Sequence, residues 1–307
     1  MCRLTASCSR LSARARCWTK TRSVSAPFLG STFNGEYEDV KAIHEMVTDV
    51  NNANGWAIPI HVDAASGGFI APFIMPELEW DFRLPNVKSI NVSGHKFGLV
   101  YAGMGWALWR EREDLPDDLV FHVNYLGGDQ QSFTLNFSKG AGNVVAQYYN
   151  FLRFGFEGYQ RIMETSMENA AYLRSALVAT GHFRIVDRQH MPLVAFALID
   201  SSRYTCFDIQ DKLKSRGWIV PAYTCSRGAE SLVIMRVVVK QNFACHMANM
   251  LVQDILKAIE ALEKHHVLVE TAMSSPKAKK MHLVDVVHAI RANLKHQKSG
   301  LTTHGVC

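Results

Sequence analysis

Val40, Ile43, Val47 and Val50 recur at three- and four-residue intervals, a pattern that predicts a helix with one apolar face. The texture then changes. Residues 56–62 (WAIPIHV), 87–92 (VKSINV) and 104–109 (MGWALW) are short apolar runs, and each reads as a buried strand. A helix followed by buried strands predicts an α/β sheet. Two of the strands end on chemically reactive segments, DAASGG and SGHKFG. In open α/β sheets ligands sit beyond the carboxyl ends of the strands.

After Gly140 the spacing turns helical, over residues 144–156 and 159–180. Strand-like runs at 183–186, 194–199 and 232–239 are interleaved with helical patterns at 207–215 and 244–266. That mixture predicts a smaller α+β domain, with a boundary near residue 150. The expected organisation is an unrelated, disordered basic leader over 1–26, part of a large α/β domain over 27–150, a small α+β domain over 151–275 and a basic amphipathic tail over 276–307.

Composition narrows the class. Of 307 residues, 48% are hydrophobic and 20% charged, which excludes bulk disorder. No apolar run approaches about 18 residues, so no membrane span is expected. The net charge of +5 is unevenly placed. Residues 1–26 carry six basic residues and no acid, and residues 276–307 carry six more against Asp285 alone. Removing these from the totals of 33 and 28 leaves 21 basic and 27 acidic residues between them, a net of −6. An acidic body with basic ends is not a nucleic-acid binder, whose positive charge belongs on the folded face. The leader has the composition of a transit peptide and equally that of an unstructured segment. The seven cysteines contain no C-x-x-C pair, which argues against a zinc site or disulfide framework and for a reducing compartment, by default the cytoplasm.

Three side chains could do chemistry. Asp63 ends an apolar strand, where burying a carboxylate is costly unless something meets it. It could cap the following turn, but the small residues after it leave room for a flat ligand. Lys96, in SGHKFG, follows a buried strand. It is either a surface turn residue or a desolvated amine able to act as a nucleophile. His95 beside it could contact a phosphate or move a proton, or simply satisfy a strand-end carbonyl. An acid and an amine flanking one flat space are what pyridoxal phosphate requires.

The strings HVDAASGGFIAPF, DFRLPNVKSINVSGHKFGLVYAGMGWALWR and YLGGDQQSFTLNFSKGAGNVVAQYYNFLRFGFEGY resemble the plant and bacterial glutamate decarboxylases. These are group II pyridoxal-phosphate-dependent decarboxylases of the aspartate-aminotransferase fold. The resemblance runs from about Phe28 to about His266. It implies an N-terminally truncated member, lacking roughly the first third of the family's length. It also implies decarboxylation of L-glutamate to 4-aminobutanoate and CO2. By resemblance Lys96 is the Schiff-base lysine, Asp63 the partner of the ring nitrogen and Ala65 the residue against one ring face. Ser93 and His95 resemble cofactor-phosphate contacts, with His95 also near the reacting centre, and Ser138 resembles a phosphate ligand given to the neighbouring subunit. Thr32 resembles the hydroxyl near the ring oxygen, and Arg236 an active-site arginine suited to a substrate carboxylate.

A homo-oligomer, dimer or hexamer, is implied in the same way. In the tail, Leu283, Val287, Ile290 and Leu294 share one face of a helix over 277–298 with basic residues around them. That pattern, and the family's layout, point to calmodulin as a partner. Two alternatives stay open. One is an inactive truncated homologue that binds full-length subunits or calmodulin. The other is a decarboxylase of another amino acid, against which the SGG after DAA and the WDFRLP segment argue.

Overall fold

A computed structural model describes residues 24–124, 127–133 and 139–274. Ser138, the leader up to residue 23 and the tail helix expected over 277–298 lie outside the described residues.

The first helix, α1 (Val40–Asn54), starts where Asp39 accepts a hydrogen bond from the Ala42 N–H and stops at Gly55, whose left-handed backbone (φ 64°) turns the chain. Its predicted stripe is the face that packs: Val40, Ile43 and Val47 are buried. The strands follow as β1 (Ile60–Asp63), β2 (Val87–Ser93) and β3 (Gly105–Trp109), in the order β1-β2-β3. β1 and β2 run parallel, and β3 returns antiparallel to β2. On the other side of β1, Ser25 and Phe28 form parallel bridges to Ile60 and Asp63. β1 is shorter than the apolar run at 56–62 because Pro59 has no N–H to give a ladder.

The strand register places the chemistry. His61 lies opposite Ser89, Val62 opposite Ile90, and Asp63 opposite Asn91. Side chains alternate faces along a strand. Val62, Ile90 and Val92 are therefore buried on one face, while His61, Asp63, Ser89, Asn91 and Ser93 share the other, half-buried.

A short exposed hairpin, β4 (Phe121–Val123) with β5 (Gln130–Ser132), precedes α2 (Gly142–Ala179). The two helical patterns at 144–156 and 159–180 are the two halves of α2, joined across a break at Gly155 (φ 59°, ψ −165°). The C-terminal sheet has the order β6-β7-β9-β8, all antiparallel, built from β6 (Phe183–Ile185), β7 (Leu193–Leu198), β8 (Ala222–Thr224) and β9 (Val233–Val238). α3 (Cys206–Lys214) begins with a capping box between Thr205 and Asp208, and α4 (Cys245–Ser274) closes the described chain.

Every residue of β7 is buried, because each face of this sheet enters a different core. Leu193, Ala195, Ala197 and Ile234 pack with β1, β2 and α1. Val194, Phe196, Leu198 and Met235 pack with Ile209, Leu213, Leu251 and Ile255 from α3 and α4. The two cores therefore share one sheet, with the reactive strand ends on the first.

Candidate active site

Asp63 is the last residue of β1, anchored on both backbone sides by the segment at 27–29. Its N–H donates to the Pro27 carbonyl (3.0 Å), and its carbonyl accepts from the Leu29 N–H (2.8 Å). Carboxylate Oδ1 accepts from the Ala65 N–H (3.1 Å) and from Asn91 Nδ2 (2.9 Å). Among the described residues no hydrogen bond is made to Oδ2. The expected cap through a nearby N–H is thus present, and it leaves half of the carboxylate unused.

Lys96 lies three residues beyond the end of β2. Its Nζ donates to Ser66 Oγ (3.1 Å), three residues beyond Asp63. The two strand-end loops are also joined by the Ser93 N–H donating to the Ala65 carbonyl (3.2 Å). So the structure brings Asp63, Ala65, Ser93 and Lys96 to adjacent ends of two paired parallel strands. Among the described residues Lys96 makes no ion pair. His95 Nδ1 lies 3.2 Å from the Met104 carbonyl, which requires a proton on Nδ1 and leaves Nε2 as the other functional nitrogen.

The lysine loop is clamped from α2 by three amides that sequence reasoning did not single out. Asn143 Nδ2 donates to the Ala102 carbonyl (2.9 Å), Gln147 Nε2 to Gly98 (2.8 Å) and Asn150 Nδ2 to Leu99 (2.9 Å). Their 143, 147, 150 spacing is one helix face, which was a readable signal. Tyr159 adds a donor to the same Gly98 carbonyl (3.0 Å). Burial pushes the Tyr159 hydroxyl up to about 12, partly offset by its hydrogen bond with Gln147, so at neutral pH it serves as a donor. Gly94 and Gly98 are required by this clamp: a Cβ at either would lie 2.6–2.8 Å from Gln147 Oε1.

Thr32 and Arg236 sit on a second wall. Arg236, on β9, donates through Nη1 to the Thr32 carbonyl, and its guanidinium lies 5.6 Å from the centre of the Tyr223 ring. Tyr223 in turn donates to the Phe33 carbonyl (2.7 Å). Burial pushes that hydroxyl up to about 12, against the opposing pull of Arg236. Arg236 Nε is buried and has no hydrogen-bond partner among the described residues. The loop they hold reaches the first wall through Gly30, where a Cβ would stand 3.0 Å from that of Ser66. Thr32 itself is exposed and contributes its backbone, not its hydroxyl, to these contacts.

The profile of the pyridoxal-dependent decarboxylase conserved domain matches residues 19–199. The chain belongs to that family. It is 51% identical to glutamate decarboxylase 5 of Arabidopsis thaliana over 89% of this chain and 58% of that one. It is 56% identical to glutamate decarboxylase of Petunia hybrida over 78% of this chain and 48% of that one. Among solved structures, glutamate decarboxylase of Lactobacillus brevis CGMCC 1306 superposes with a TM-score of 0.74 at 44% identity, covering 77% of this chain and 54% of the other. The fold is therefore the fold type I, aspartate-aminotransferase-like one of the family, and the chain spans about half the length of the curated relatives it matches.

Pyridoxal phosphate is the cofactor of this family, and the residues present fit it. An aromatic ring nitrogen needs an acceptor, and Oδ2 of Asp63 is one. An aldehyde needs an amine that is not locked in an ion pair, and Lys96 is paired only with a hydroxyl. Among the described residues no group of His, Cys, Asp and Glu could hold a metal ion, and no helix is long and apolar enough to cross a membrane.

Proposed function

We propose that this chain provides the lysine-bearing part of an L-glutamate decarboxylase, which releases CO2 and 4-aminobutanoate. The observation that carries the reading is the placement of Asp63 and Lys96 at adjacent ends of β1 and β2, linked through Ser66. The glutamate decarboxylases at 51% and 56% identity support the choice of substrate.

When bound, pyridoxal phosphate supplies a carbonyl for the substrate amine and a ring that accepts the electron pair left by departing CO2. Lys96 offers the amine that holds the cofactor. Asp63 presents Oδ2 to a ring N–H and so keeps a proton at that nitrogen. Ala65 offers a small side chain on which a flat ring can lie. Ser138 is assigned to the phosphate in the neighbouring subunit's site, and Ser93 and His95 to the phosphate in this one. With Nδ1 of His95 committed to Met104, this contact falls to Nε2, which donates only when the ring is an imidazolium. Thr32 is assigned to the ring oxygen. Arg236, whose Nε has no partner, takes a substrate carboxylate as a charge-assisted contact.

Oligomer formation belongs to the same proposal. The first half of α2 exposes Val145, Tyr148, Tyr149, Leu152 and Phe156, an apolar band that a second subunit would cover, and Tyr101 is exposed on the loop between β2 and β3. Calmodulin binding through residues 277–298 is proposed on the sequence pattern, and retention of a 276–307 peptide by calcium–calmodulin tests it. A cytoplasmic setting is proposed on the cysteine pattern of the sequence, which has no C-x-x-C pair.

The deciding experiment incubates the purified chain with pyridoxal phosphate and L-glutamate and measures CO2. The Lys96→Ala variant should lose covalent cofactor and all turnover. Unchanged turnover in that variant would remove the role given to Lys96. A second reading is favoured by the exposed band. In it the chain binds cofactor weakly or not at all and associates with full-length subunits. Co-purification with a full-length glutamate decarboxylase, without activity of its own, is the outcome that selects it.

A further inference from the structure

We infer that Ser89, His61 and Asn91 form a directional hydrogen-bond relay that fixes the Asp63 carboxylate with Oδ1 occupied and Oδ2 presented, making His61 and Asn91 positioning residues. The purpose of the relay rests on the decarboxylase reading above. Its wiring does not.

The relay follows from the register of two strands. Pairing His61 with Ser89 and Asp63 with Asn91 puts all four side chains on one face of the sheet. Asn91 Nδ2 is 2.9 Å from Asp63 Oδ1, His61 Nε2 is 2.8 Å from Asn91 Oδ1, and His61 Nδ1 is 2.7 Å from Ser89 Oγ. The contacts of Asn91 and of His61 Nε2 admit one set of proton positions. A carboxylate accepts, so Asn91 must turn its NH2 toward Asp63. Its carbonyl oxygen then faces His61 and requires a proton on Nε2. The Ser89 hydroxyl completes the line at Nδ1, since a hydroxyl can donate to a bare nitrogen or accept from a protonated one. Rotating the Asn91 amide would set its oxygen against the carboxylate.

The other flank of Asp63 is the segment 25–28, which is Ser-Ala-Pro-Phe and carries no titratable side chain. On the far side of β2, Asn91 pairs with Ala107 of β3. The titratable groups around these strand ends are Lys96, which donates to Ser66, His95, which is engaged with Met104, and Glu38, whose Oε2 accepts from the Phe28 N–H (2.8 Å). Asp63 is thus held from its own turn by the Ala65 N–H and from the sheet by Asn91 alone. Histidine and asparagine so placed set the direction of an acceptor without touching the reacting atoms, as outer partners do in other sites.

The test reads the relay in the full 307-residue chain with no cofactor added. In chain carrying 15N-histidine, long-range 1H–15N spectra should show a proton on His61 Nε2. Finding His61 as the Nδ1–H tautomer, with Nε2 bare, overturns the inference without any variant. In chain carrying 13C-carboxyl aspartate, Asn91→Leu removes the donor at similar size. It should move the 13C resonance of the Asp63 carboxyl at neutral pH. An unmoved Asp63 resonance in a folded variant also overturns the inference. Asn91→Asp, of nearly identical shape, should move that resonance too, which a purely space-filling role for Asn91 would not do. Borohydride fixation of pyridoxal phosphate, read by mass on Lys96, separates the two claims. A wild-type chain that fixes none sinks the decarboxylase reading, while the spectra still decide the relay.

Discussion

Gly94 shows how little space separates the reactive lysine from its support. A methyl group there would meet Gln147 Oε1 and Met104 Sδ at 2.6 Å each. Gly94→Ala should therefore cost about 1–3 kcal/mol, the usual range for overpacking, measured by urea unfolding. It should also loosen the Lys96 loop, read as faster amide exchange over 94–99. His190 gives a pH-dependent counterpart. Its Nδ1 accepts from the Tyr37 N–H (2.9 Å), and burial holds its pKa below the ordinary value. The folded protein thus prefers the neutral ring, whereas the unfolded chain takes up a proton near pH ~6.5. Stability should be complete above that pH and fall as pH drops through the folded-state value. In His190→Gln that part of the slope should vanish from a series of thermal midpoints. These residues differ in legibility. Asp63, Lys96 and His95 stand out in a linear reading because strand-end acids and amines are unusual. His61 and Asn91 do not, since they are 30 positions apart and only register joins them.

At the scale of elements, spacing predicted what local sequence controls. The α1 stripe, the positions of the first three strands and the two halves of α2 were readable, but β3, expected to be buried, is exposed: it pairs with β2 on one side only, and Trp106 and Leu108 stay open. β8 was not, because three residues between Pro221 and Cys225 carry no alternation to detect, and it exists by pairing with β9. The β4–β5 hairpin is equally short and exposed, so burial leaves no pattern in it. One tie between elements was also invisible. Arg174 of α2 reaches Asp187, after β6, at 2.8 Å, and the Asp187 carboxylate also accepts from the Gln189 and Ala195 N–H groups. Its side chain is 1% exposed. Asp187→Ala would strand a buried guanidinium and two N–H groups, and should cost about 3–5 kcal/mol by denaturant unfolding. Replacing both Arg174 and Asp187 with apolar residues of similar volume should recover much of that loss.

For the whole molecule, the telling feature is what stays uncovered. Tyr101 is 87% exposed, Leu152 70% and Tyr148 63%, far from the ordinary state of such side chains in a lone subunit. The clamp residues Asn143, Gln147 and Asn150 lie on the same half of α2 as this band, so the helix that steadies the lysine loop also offers the contact surface. Sedimentation of the full chain should show a dimer or larger species, and Leu152→Glu together with Tyr148→Asp should shift it toward the monomer. A wild-type chain that sediments as a monomer at micromolar concentration would contradict the oligomer proposed here.

The break at Gly155 has a mechanical meaning. No atom lies within 4 Å of where its Cβ would be, so the bend is not wedged open by packing and depends on a backbone shape that only glycine tolerates well. Both halves of the helix then reach the loop bearing the amine, the near one through Gln147 and the far one through Tyr159, and these two side chains bond to each other across the bend. Two torsion angles at one residue therefore decide whether a single carbonyl can be gripped from both sides at once.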